Sequence, residues 1–336
     1  MNGHVAVIGA GSWGTALGNL LAKKGVETVL WSYEPEVAEA VEREHRNPRY
    51  LSDVPLDPRL RATTEIDEAA AGAGAVLSVS PSHVVRSVMA QVRPHLSREV
   101  LLISASKGIE FDTLKTMDAV LEEVLPGGIG KCATFLSGPS FALEVGLGQP
   151  TAVTIASRDA DAALAAQELF QTDYFRVYTN PDVLGVELGG ALKNVIAIAS
   201  GTVHGLGFGH NAQAALITRG LAEITRLGVA LGADPLTFSG LAGMGDLILT
   251  CTGALSRNRS VGVELGRGRP IEEILAGMTM VAEGVKTAHA ARELAARTGV
   301  EMPIVDAVYA LLYEGLSARE AVESLMLRAP KPEQWS

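Results

Sequence analysis

Residues 5–14 read VAVIGAGSWG, an apolar run that leads directly into the pattern Gly9-x-Gly11-x-x-Gly14. A short, continuous apolar run is typical of a strand that is buried on both faces of a sheet. Glycines at this spacing permit a tight turn, a close approach of the backbone to a pyrophosphate, and close packing of helix on strand. The next segment, 15–24, has the leucine spacing of a helix, so its free N-terminal amides would face the phosphates.

The glycine pattern alone is weak evidence, because glycine-rich turns occur in many folds. Its surroundings strengthen it, since strand-like and helix-like segments alternate along the chain as far as residue 180. This alternation predicts an α/β fold that begins with a Rossmann-type, doubly wound, mostly parallel sheet. The predicted strands are 5–9, 27–31, 75–79, 100–104, 132–137, 151–156 and 175–178, and the predicted helices lie near 35–45, 83–92, 112–124 and 159–170.

The alternation ends at the sequence Thr-Asn-Pro-Asp, residues 179–182. The rest of the chain has helical periodicity and glycine breaks, and no segment of it is typical of a strand. We therefore predict two domains, a dinucleotide-binding Rossmann domain over 1–180 and an all-α substrate-binding and catalytic domain over 181–336.

The composition indicates an acidic protein with a large core. Of 336 residues, 47% are hydrophobic and 20% are charged, and the net charge is −10. General nucleic-acid binders are usually basic, so this charge argues against that class, while a local cluster of Lys and Arg can still bind a small anion. Cys132 and Cys251 form neither a disulfide framework nor a metal-binding spacing, and no HExxH pattern occurs, so no metal is expected.

The start of the chain and its hydropathy predict a cytoplasmic location. The first strand begins within five residues, which leaves no room for a signal peptide. No apolar run approaches the length of a membrane span, so no membrane segment is expected. Two cysteines outside any pairing pattern fit a reducing compartment.

Lys193 is an ionisable residue in an otherwise apolar helical stretch that begins near residue 182. A helix that is apolar nearly all round is typically buried, and burial lowers the pKa of a lysine towards the range that suits proton transfer. The alternative is a lysine that extends its ammonium group to water. The sequence leaves both interpretations open.

Three further segments place polar side chains where chemistry is possible. Lys107 and the run Ser137–Ser140 follow predicted strands, at the edge of the sheet where ligands bind in open α/β folds, although ordinary loop residues also occur there. Asp246 follows a glycine-rich bend, where it can either orient a lysine or cap a helix. The run Ser256–Arg259 (SRNR) suits either a phosphate or a solvated polar surface.

Seven motifs occur in one order along the chain: GAGSWGTAL, ASKG, SGPSFA, LGGALKN, GDLILTC, SRNR and VAEG. Each motif alone is unspecific, but together they closely resemble the bacterial NAD(P)-dependent glycerol-3-phosphate dehydrogenases over residues 5–328. The resemblance implies a reversible reduction of dihydroxyacetone phosphate by NAD(P)H to sn-glycerol 3-phosphate, which supplies glycerophospholipid synthesis. It also implies a homodimer.

The resemblance further implies roles for individual residues. Lys193 would be the general acid that protonates the ketone oxygen, Lys107 would contact both substrate and cofactor, and Asp246 would line the reacting end. The remaining substrate contacts would be Gly138, Ser140, Thr250, Ser256, Arg257 and Asn258. The remaining cofactor contacts would be Gly9, Gly11, Ser12, Trp13, Gly14, Tyr33, Ala142, Arg257, Val281 and Glu283.

The choice between NAD and NADP stays open at this point. Glu34 lies about twenty residues beyond the glycines, where an acidic residue binds the ribose of NAD, and no basic residue follows it before Arg43. Both features favour NAD. Against them, the family as a whole uses NADP, and Tyr33 stands where its members often carry a more basic residue.

Two other functions are compatible with this fold. A hydroxy-acid or ketopantoate reductase would bind a carboxylate rather than a phosphate, which the SRNR and GDLILTC segments disfavour. A non-catalytic dinucleotide sensor would be expected to lack catalytic groups, whereas Lys107, Lys193 and Asp246 are all present.

Overall fold

The chain folds into two compact units, each with its own hydrophobic core. The computed structural model describes residues 3–125, 128–278 and 282–333. One unit comprises Met1–Lys107 and Lys115–Val183, and the other comprises Gly108–Leu114 and Leu184–Ser336. The segment Gly108–Leu114 thus belongs to the C-terminal unit, although a division of the sequence at residue 180 assigns it to the N-terminal domain.

The N-terminal unit is built on one eight-stranded sheet. Its strands are β1 (Val5–Ile8), β2 (Thr28–Trp31), β3 (Leu60–Thr63), β4 (Ala75–Ser78), β5 (Leu101–Ser104), β6 (Thr134–Ser137), β7 (Thr151–Ala156) and β8 (Phe175–Asn180). They lie in the order β3-β2-β1-β4-β5-β6-β7-β8, and all neighbours are parallel except β6 and β7. The doubly wound, mostly parallel sheet that the sequence predicts is therefore confirmed.

β3 is the strand that the sequence pattern does not predict. It has only four residues, LRAT, and its Arg61 is exposed, so it lacks the continuous apolar run of the central strands. Within the described residues its one partner strand is β2, because it lies at the edge of the sheet.

The glycine turn lies at the point where the strand order reverses. β1 pairs with β2 on one side and β4 on the other, and all four of its residues are fully buried, as the apolar run predicts. Ligands of open α/β sheets bind beyond the carboxyl ends of the strands at such a point. The α-helices described in this unit are α1 (Ser12–Lys23), α2 (Pro35–Glu44), α3 (Ile66–Ala70), α4 (Val85–Val92), α5 (Met117–Val124), α6 (Ala142–Gly146) and α7 (Ala160–Phe170).

The C-terminal unit is helical, and none of its described residues forms a strand, which confirms the predicted all-α character. Its α-helices are α8 (Val183–Gly205), α9 (His210–Ala230), α10 (Asp246–Thr252), α11 (Arg257–Gly266), α12 (Ile271–Ala276), α13 (Glu283–Thr298), α14 (Pro303–Tyr313) and α15 (Ala318–Met326).

α8 is almost entirely buried, and glycines let its backbone touch that of α11. A Cβ added to Gly201 would lie 2.0 Å from the carbonyl oxygen of Arg259, and one added to Gly262 would lie 2.0 Å from that of Ile198. Since real Cβ atoms do not approach so closely, both positions require glycine while the helices keep this distance. This contact fixes the helix that carries Lys193.

α8 is also long and apolar enough, by length and composition, to cross a membrane. This corrects the expectation that no apolar run approaches that length. However, 94% of its most apolar window is buried inside the protein, as is typical of a core helix.

Candidate active site

Each glycine of the turn between β1 and α1 occupies its position for a different structural reason. Gly9 has a φ of +128°, which other residues rarely adopt. A Cβ on Gly14 would lie 1.9 Å from the carbonyl oxygen of Gly9, so the packing of α1 on the turn excludes one. A Cβ on Gly11 would meet no described protein atom within 4 Å. The backbone at Gly11 is therefore open to the close approach of a pyrophosphate.

The first turn of α1 offers hydrogen-bond donors to an anion. Gly11 precedes the helix, and no side chain in the described part of the chain caps it. Its amides and the positive end of the helix dipole favour negative charge there. The Trp13 indole nitrogen in this turn is buried without a hydrogen-bond partner among the described residues, and Ser12 is partly exposed beside it. These features fit a dinucleotide.

The loop after β2 carries the residues expected near the adenosine ribose. Tyr33 is 81% exposed, while the Glu34 carboxylate accepts a hydrogen bond of 2.6 Å from the Tyr50 hydroxyl. Burial, with the bond to Glu34, raises the pKa of Tyr50. The Arg49 guanidinium lies 5.4 Å from the centre of the Tyr50 ring. The sequence spacing missed both Tyr50 and Arg49, and the Arg49 guanidinium is itself paired with the Glu36 carboxylate at 2.9 Å.

Lys107 lies beyond the end of β5, and its ammonium group donates a 3.4 Å hydrogen bond to the Gly138 carbonyl oxygen. Gly138 follows β6 with a φ of +139°, and the Ser140 hydroxyl donates to the same carbonyl at 3.0 Å. Ala142, partly exposed, begins α6 directly afterwards. The structure thus brings together three predicted substrate contacts of the N-terminal unit.

Lys193 and Asp246 form a buried ion pair in the C-terminal unit. The Lys193 ammonium group donates hydrogen bonds to the Asp246 carboxylate and, at 2.9 Å, to the Thr250 hydroxyl. Lys193, Asp246 and Thr250 are 6%, 1% and 5% exposed. A buried charge of this kind is stable only when it is paired and hydrogen-bonded, and both conditions are met here.

This geometry decides between the alternatives that the sequence left open. The Lys193 ammonium group does not extend to water, because it is buried and forms an ion pair with the Asp246 carboxylate. Asp246 does not cap a helix, because it lies inside a continuous helical stretch, 241–252. Its neighbour Cys251 is buried, and burial raises the pKa of its thiol to about 12, which leaves the thiol unreactive near neutral pH.

Glycines and a π-helical turn bring Asp246 to α8. The turn Leu241–Gly245 leads directly into α10. A Cβ on Gly189 of α8 would lie 2.8 Å from the Ala242 carbonyl oxygen, and one on Gly243 would lie 2.2 Å from that of Phe238. Small residues therefore allow this turn to pack on its neighbours, as the glycine-rich bend suggested.

The side chains of Ser256 and Asn258 form hydrogen bonds within the protein. The Ser256 hydroxyl caps α11 by accepting from the Arg259 amide at 3.2 Å. The Asn258 amide donates to Asn194 at 3.0 Å and accepts from the Gly284 amide at 2.9 Å. Asn258 thereby joins α8, α11 and α13. Asn194 directly follows Lys193, and its place in the site escaped the sequence interpretation.

Arg257 occupies the first position of α11 and is exposed as a residue. Burial of its guanidinium group nevertheless lowers its pKa. The negative charge of Glu283, the first residue of α13, acts in the opposite direction and raises that pKa. Arg257 and Glu283 are therefore near enough to interact electrostatically. Val281 lies outside the described residues.

Over residues 3–125, 128–278 and 282–333, no group of three or more His, Cys, Asp or Glu side chains is arranged to hold a metal ion.

Comparison with known proteins identifies the family. Residues 4–163 match the model of the NAD-dependent glycerol-3-phosphate dehydrogenase N-terminus, and residues 182–323 match that of its C-terminus. The glycerol-3-phosphate dehydrogenase (NAD(P)+) of Geobacter sulfurreducens is 57% identical over 335 residues, covering 100% of both chains. That of Citrifermentans bemidjiense is 58% identical over 329 residues, covering 98% of both.

A solved structure agrees with these sequence relatives. The crystal structure of glycerol-3-phosphate dehydrogenase from Coxiella burnetii superposes with a TM-score of 0.92 at 38% identity. The match covers 97% of this chain and 99% of that one. Both halves of the chain and its fold thus point to one family: this protein belongs to the NAD-dependent glycerol-3-phosphate dehydrogenases.

Proposed function

We propose that this protein catalyses the reversible reduction of dihydroxyacetone phosphate to sn-glycerol 3-phosphate with NAD(P)H. The observation that carries the proposal is the buried ammonium group of Lys193, held by Asp246 and Thr250 in a chain of this family. Reduction of a ketone needs a proton donor at the carbonyl oxygen, and a fixed, desolvated ammonium group is suited to that task.

Lys193 is the proposed general acid. A bound NAD(P)H supplies the hydride to the carbonyl carbon, and the Lys193 ammonium group gives a proton to the carbonyl oxygen as negative charge develops there. Asp246 and Thr250 hold the ammonium group in one position, so little rearrangement is needed during the reaction. In the oxidation of sn-glycerol 3-phosphate, the neutral amine of Lys193 accepts the proton.

Lys107 is proposed to contact the substrate together with Gly138 and Ser140. The Lys107 ammonium group and the Ser140 hydroxyl both donate to the Gly138 carbonyl oxygen, so two donors lie together where one small polar molecule can bind. A second cation also favours the alkoxide character of the oxygen during reduction.

The phosphate is proposed to bind at the start of α11. Because Ser256 and Asn258 engage their side chains within the protein, we assign the phosphate contacts to the first backbone amides of α11 and to the Arg257 guanidinium. Ser256 and Asn258 then shape this helix end. Binding energy from the phosphate helps position the carbonyl for hydride transfer.

The cofactor is proposed to bind at the glycine turn, with NADH preferred over NADPH. The carboxylate of Glu34 can bind ribose hydroxyls and repels a 2′-phosphate, and the nearby Arg49 is already paired with the Glu36 carboxylate at 2.9 Å. Because the relatives are named for NAD(P)+, NADPH is also expected to work. The proposed contacts are Gly9, Gly11, Ser12, Trp13, Gly14, Tyr33, Lys107, Ala142, Arg257, Val281 and Glu283.

We also propose a cytoplasmic homodimer that serves glycerophospholipid synthesis. The C-terminal unit exposes several large apolar side chains, which supports burial against a second copy. Those that are at least 39% exposed include Val229, Leu236, Met244, Ile248 and Leu255. Sedimentation velocity tests the assembly, and a purely monomeric protein at micromolar concentration contradicts it.

The activity is tested by following the absorbance of NADH, and separately of NADPH, when purified protein meets dihydroxyacetone phosphate. Unphosphorylated dihydroxyacetone is the control. We expect rapid oxidation that requires the phosphate, with the faster rate for NADH. Bound cofactor without oxidation would contradict the proposed activity and favour a sensor, and equal rates with both ketones would contradict the phosphate site.

A further inference from the structure

The segment Gly108–Leu114, here called the strap, directly follows Lys107 but belongs to the C-terminal unit. Ile109 and Leu114 are 4% and 8% exposed and form part of the core of that unit. The strap is therefore held by apolar contacts near both of its ends, unlike an ordinary surface loop.

The backbone of the strap is constrained as well. Gly108 has a φ of +151°, and Leu114 has a φ of +58°, in the left-handed region that a leucine rarely adopts. The Leu114 amide closes a turn by donating to the Glu110 carbonyl oxygen at 2.9 Å. A leucine in this conformation costs free energy, so the packing of the strap must offset that cost.

A ring contact anchors the middle of the strap. Phe111 stacks on His289 of α13, with ring centres 4.6 Å apart and planes tilted by 34°. His289 in turn lies 5.8 Å from the ring of Tyr309, and Tyr309 lies 4.9 Å from that of Tyr313. The Tyr313 hydroxyl donates to the Val285 carbonyl oxygen at 2.8 Å, which ties α14 to α13.

Phe111 remains 41% exposed, so its ring is only partly removed from water, and its main contribution is the directed contact with His289. The Lys107 side chain has four rotatable bonds, so its ammonium group is placed accurately only when its backbone is fixed. Gly108 follows Lys107 directly, so the strap limits where that backbone can lie.

We propose that Phe111 and His289 are positioning residues, which hold the strap and through it set the position of Lys107 for its contact with substrate. The inference rests on the proposed role of Lys107 in the reaction. It assigns a function to two residues that lie in none of the motifs of the family resemblance.

The test is a double-mutant cycle on Phe111→Ala and Lys107→Ala, measured as kcat for dihydroxyacetone phosphate at saturating NADH. Phe208→Ala is the matched control, because Phe208 is 42% exposed in the same unit but lies outside the strap. We expect Phe111→Ala to lower kcat by about 10- to 100-fold, since small misplacements of a catalytic group have effects of this order. Phe208→Ala should leave kcat unchanged.

In the Lys107→Ala background, adding Phe111→Ala should lower kcat no further, because the residue that it positions is gone. A full additional loss would show a separate structural effect and overturn the inference, as would a wild-type kcat for Phe111→Ala. His289→Phe keeps a ring against Phe111 and should retain activity, whereas His289→Ala should lower kcat as much as Phe111→Ala does. A lower kcat for His289→Phe than for His289→Ala would contradict the proposed ring contact. If the wild-type protein fails to reduce dihydroxyacetone phosphate, the proposed function itself is wrong.

Discussion

The ammonium group of Lys193 in α8 is paired with the carboxylate of Asp246 in α10, and the two side chains are only 7% and 2% exposed. Each charge is costly to bury alone, so each depends on the other. The Thr250 hydroxyl adds a second acceptor for the ammonium group at 2.9 Å. The pair therefore holds the ammonium group, which is the proposed proton donor, in one orientation inside an apolar unit.

Asp246→Ala should remove the counter-charge of Lys193 and leave an ammonium group buried without it. We expect the free energy of unfolding to fall by about 3–5 kcal/mol. Among molecules that stay folded, kcat should fall at least about tenfold, because the proton donor loses its orientation. Urea denaturation and steady-state kinetics measure the two effects.

The double variant Lys193→Met, Asp246→Leu separates stability from chemistry. Replacing both charges by apolar side chains of similar size should recover most of the lost stability, since neither charge of this pair is then left buried without the other. Activity should stay lost. A stable and active double variant would show that the pair serves the fold alone.

Gly11 and Gly14 should respond oppositely to replacement by alanine. A Cβ on Gly14 collides with the Gly9 carbonyl oxygen at 1.9 Å, so Gly14→Ala should lower the thermal midpoint of unfolding. A Cβ on Gly11 meets no described protein atom within 4 Å, so Gly11→Ala should keep the midpoint and weaken NADH binding. Thermal unfolding and NADH fluorescence titration test both. Unchanged NADH affinity in Gly11→Ala contradicts the proposed pyrophosphate position.

Arg257→Ala should mainly weaken the binding of the phosphate-bearing substrate. Loss of a hydrogen bond to a charged group costs about 1.5–3 kcal/mol, which corresponds to a rise of about 10- to 100-fold in KM for dihydroxyacetone phosphate. Arg267→Ala, at an exposed position paired with Glu264, is the control. The same KM in both variants would place the phosphate elsewhere.

Glu223 in α9 should make stability depend on pH. Its carboxylate accepts hydrogen bonds from the Ile304 and Val305 amides at the start of α14, but burial raises its pKa to about 7. The positive charge of Arg226 lowers this pKa, and the negative charge of Asp306 raises it. The unfolded chain releases the proton near pH 4.5, whereas the folded protein keeps it to about pH 7.

Between these values the folded state binds more protons than the unfolded state, so raising the pH lowers the free energy of unfolding. The loss should total about 3 kcal/mol, complete above about pH 7. Glu223→Gln should abolish this slope, and Glu272→Gln, at an exposed position, should keep it. Urea denaturation from pH 5 to 8 measures both; an unchanged slope in Glu223→Gln refutes the assignment.

The sequence predicts those parts of the fold that depend on local pattern. The apolar run at 5–8 and the glycines after it are local signals, and the structure confirms the strand and its turn. β3 lacks such a run, so it depends on its pairing with β2, which no local pattern reveals. The strap likewise joins the C-terminal unit through contacts that are distant in sequence.

The contacts of the candidate site also join residues that are distant in sequence, so local patterns do not predict them. Whether Lys193 is buried or extends to water depends on Asp246, which lies 53 residues away. Tyr50 reaches Glu34 across 16 residues of sequence, so the residues next to Glu34 do not reveal this contact. The roles of the individual site residues stay predictions until variants are measured.

The most direct test of the account is the turnover of Lys193→Ala with dihydroxyacetone phosphate and NADH, compared with the wild type and with Lys286→Ala, an exposed lysine of α13. Circular dichroism and NADH binding establish that each variant is folded. We expect kcat to fall about 10²–10⁴-fold for Lys193→Ala and to stay unchanged for Lys286→Ala. Near-normal turnover in folded Lys193→Ala would contradict its role as the proton donor.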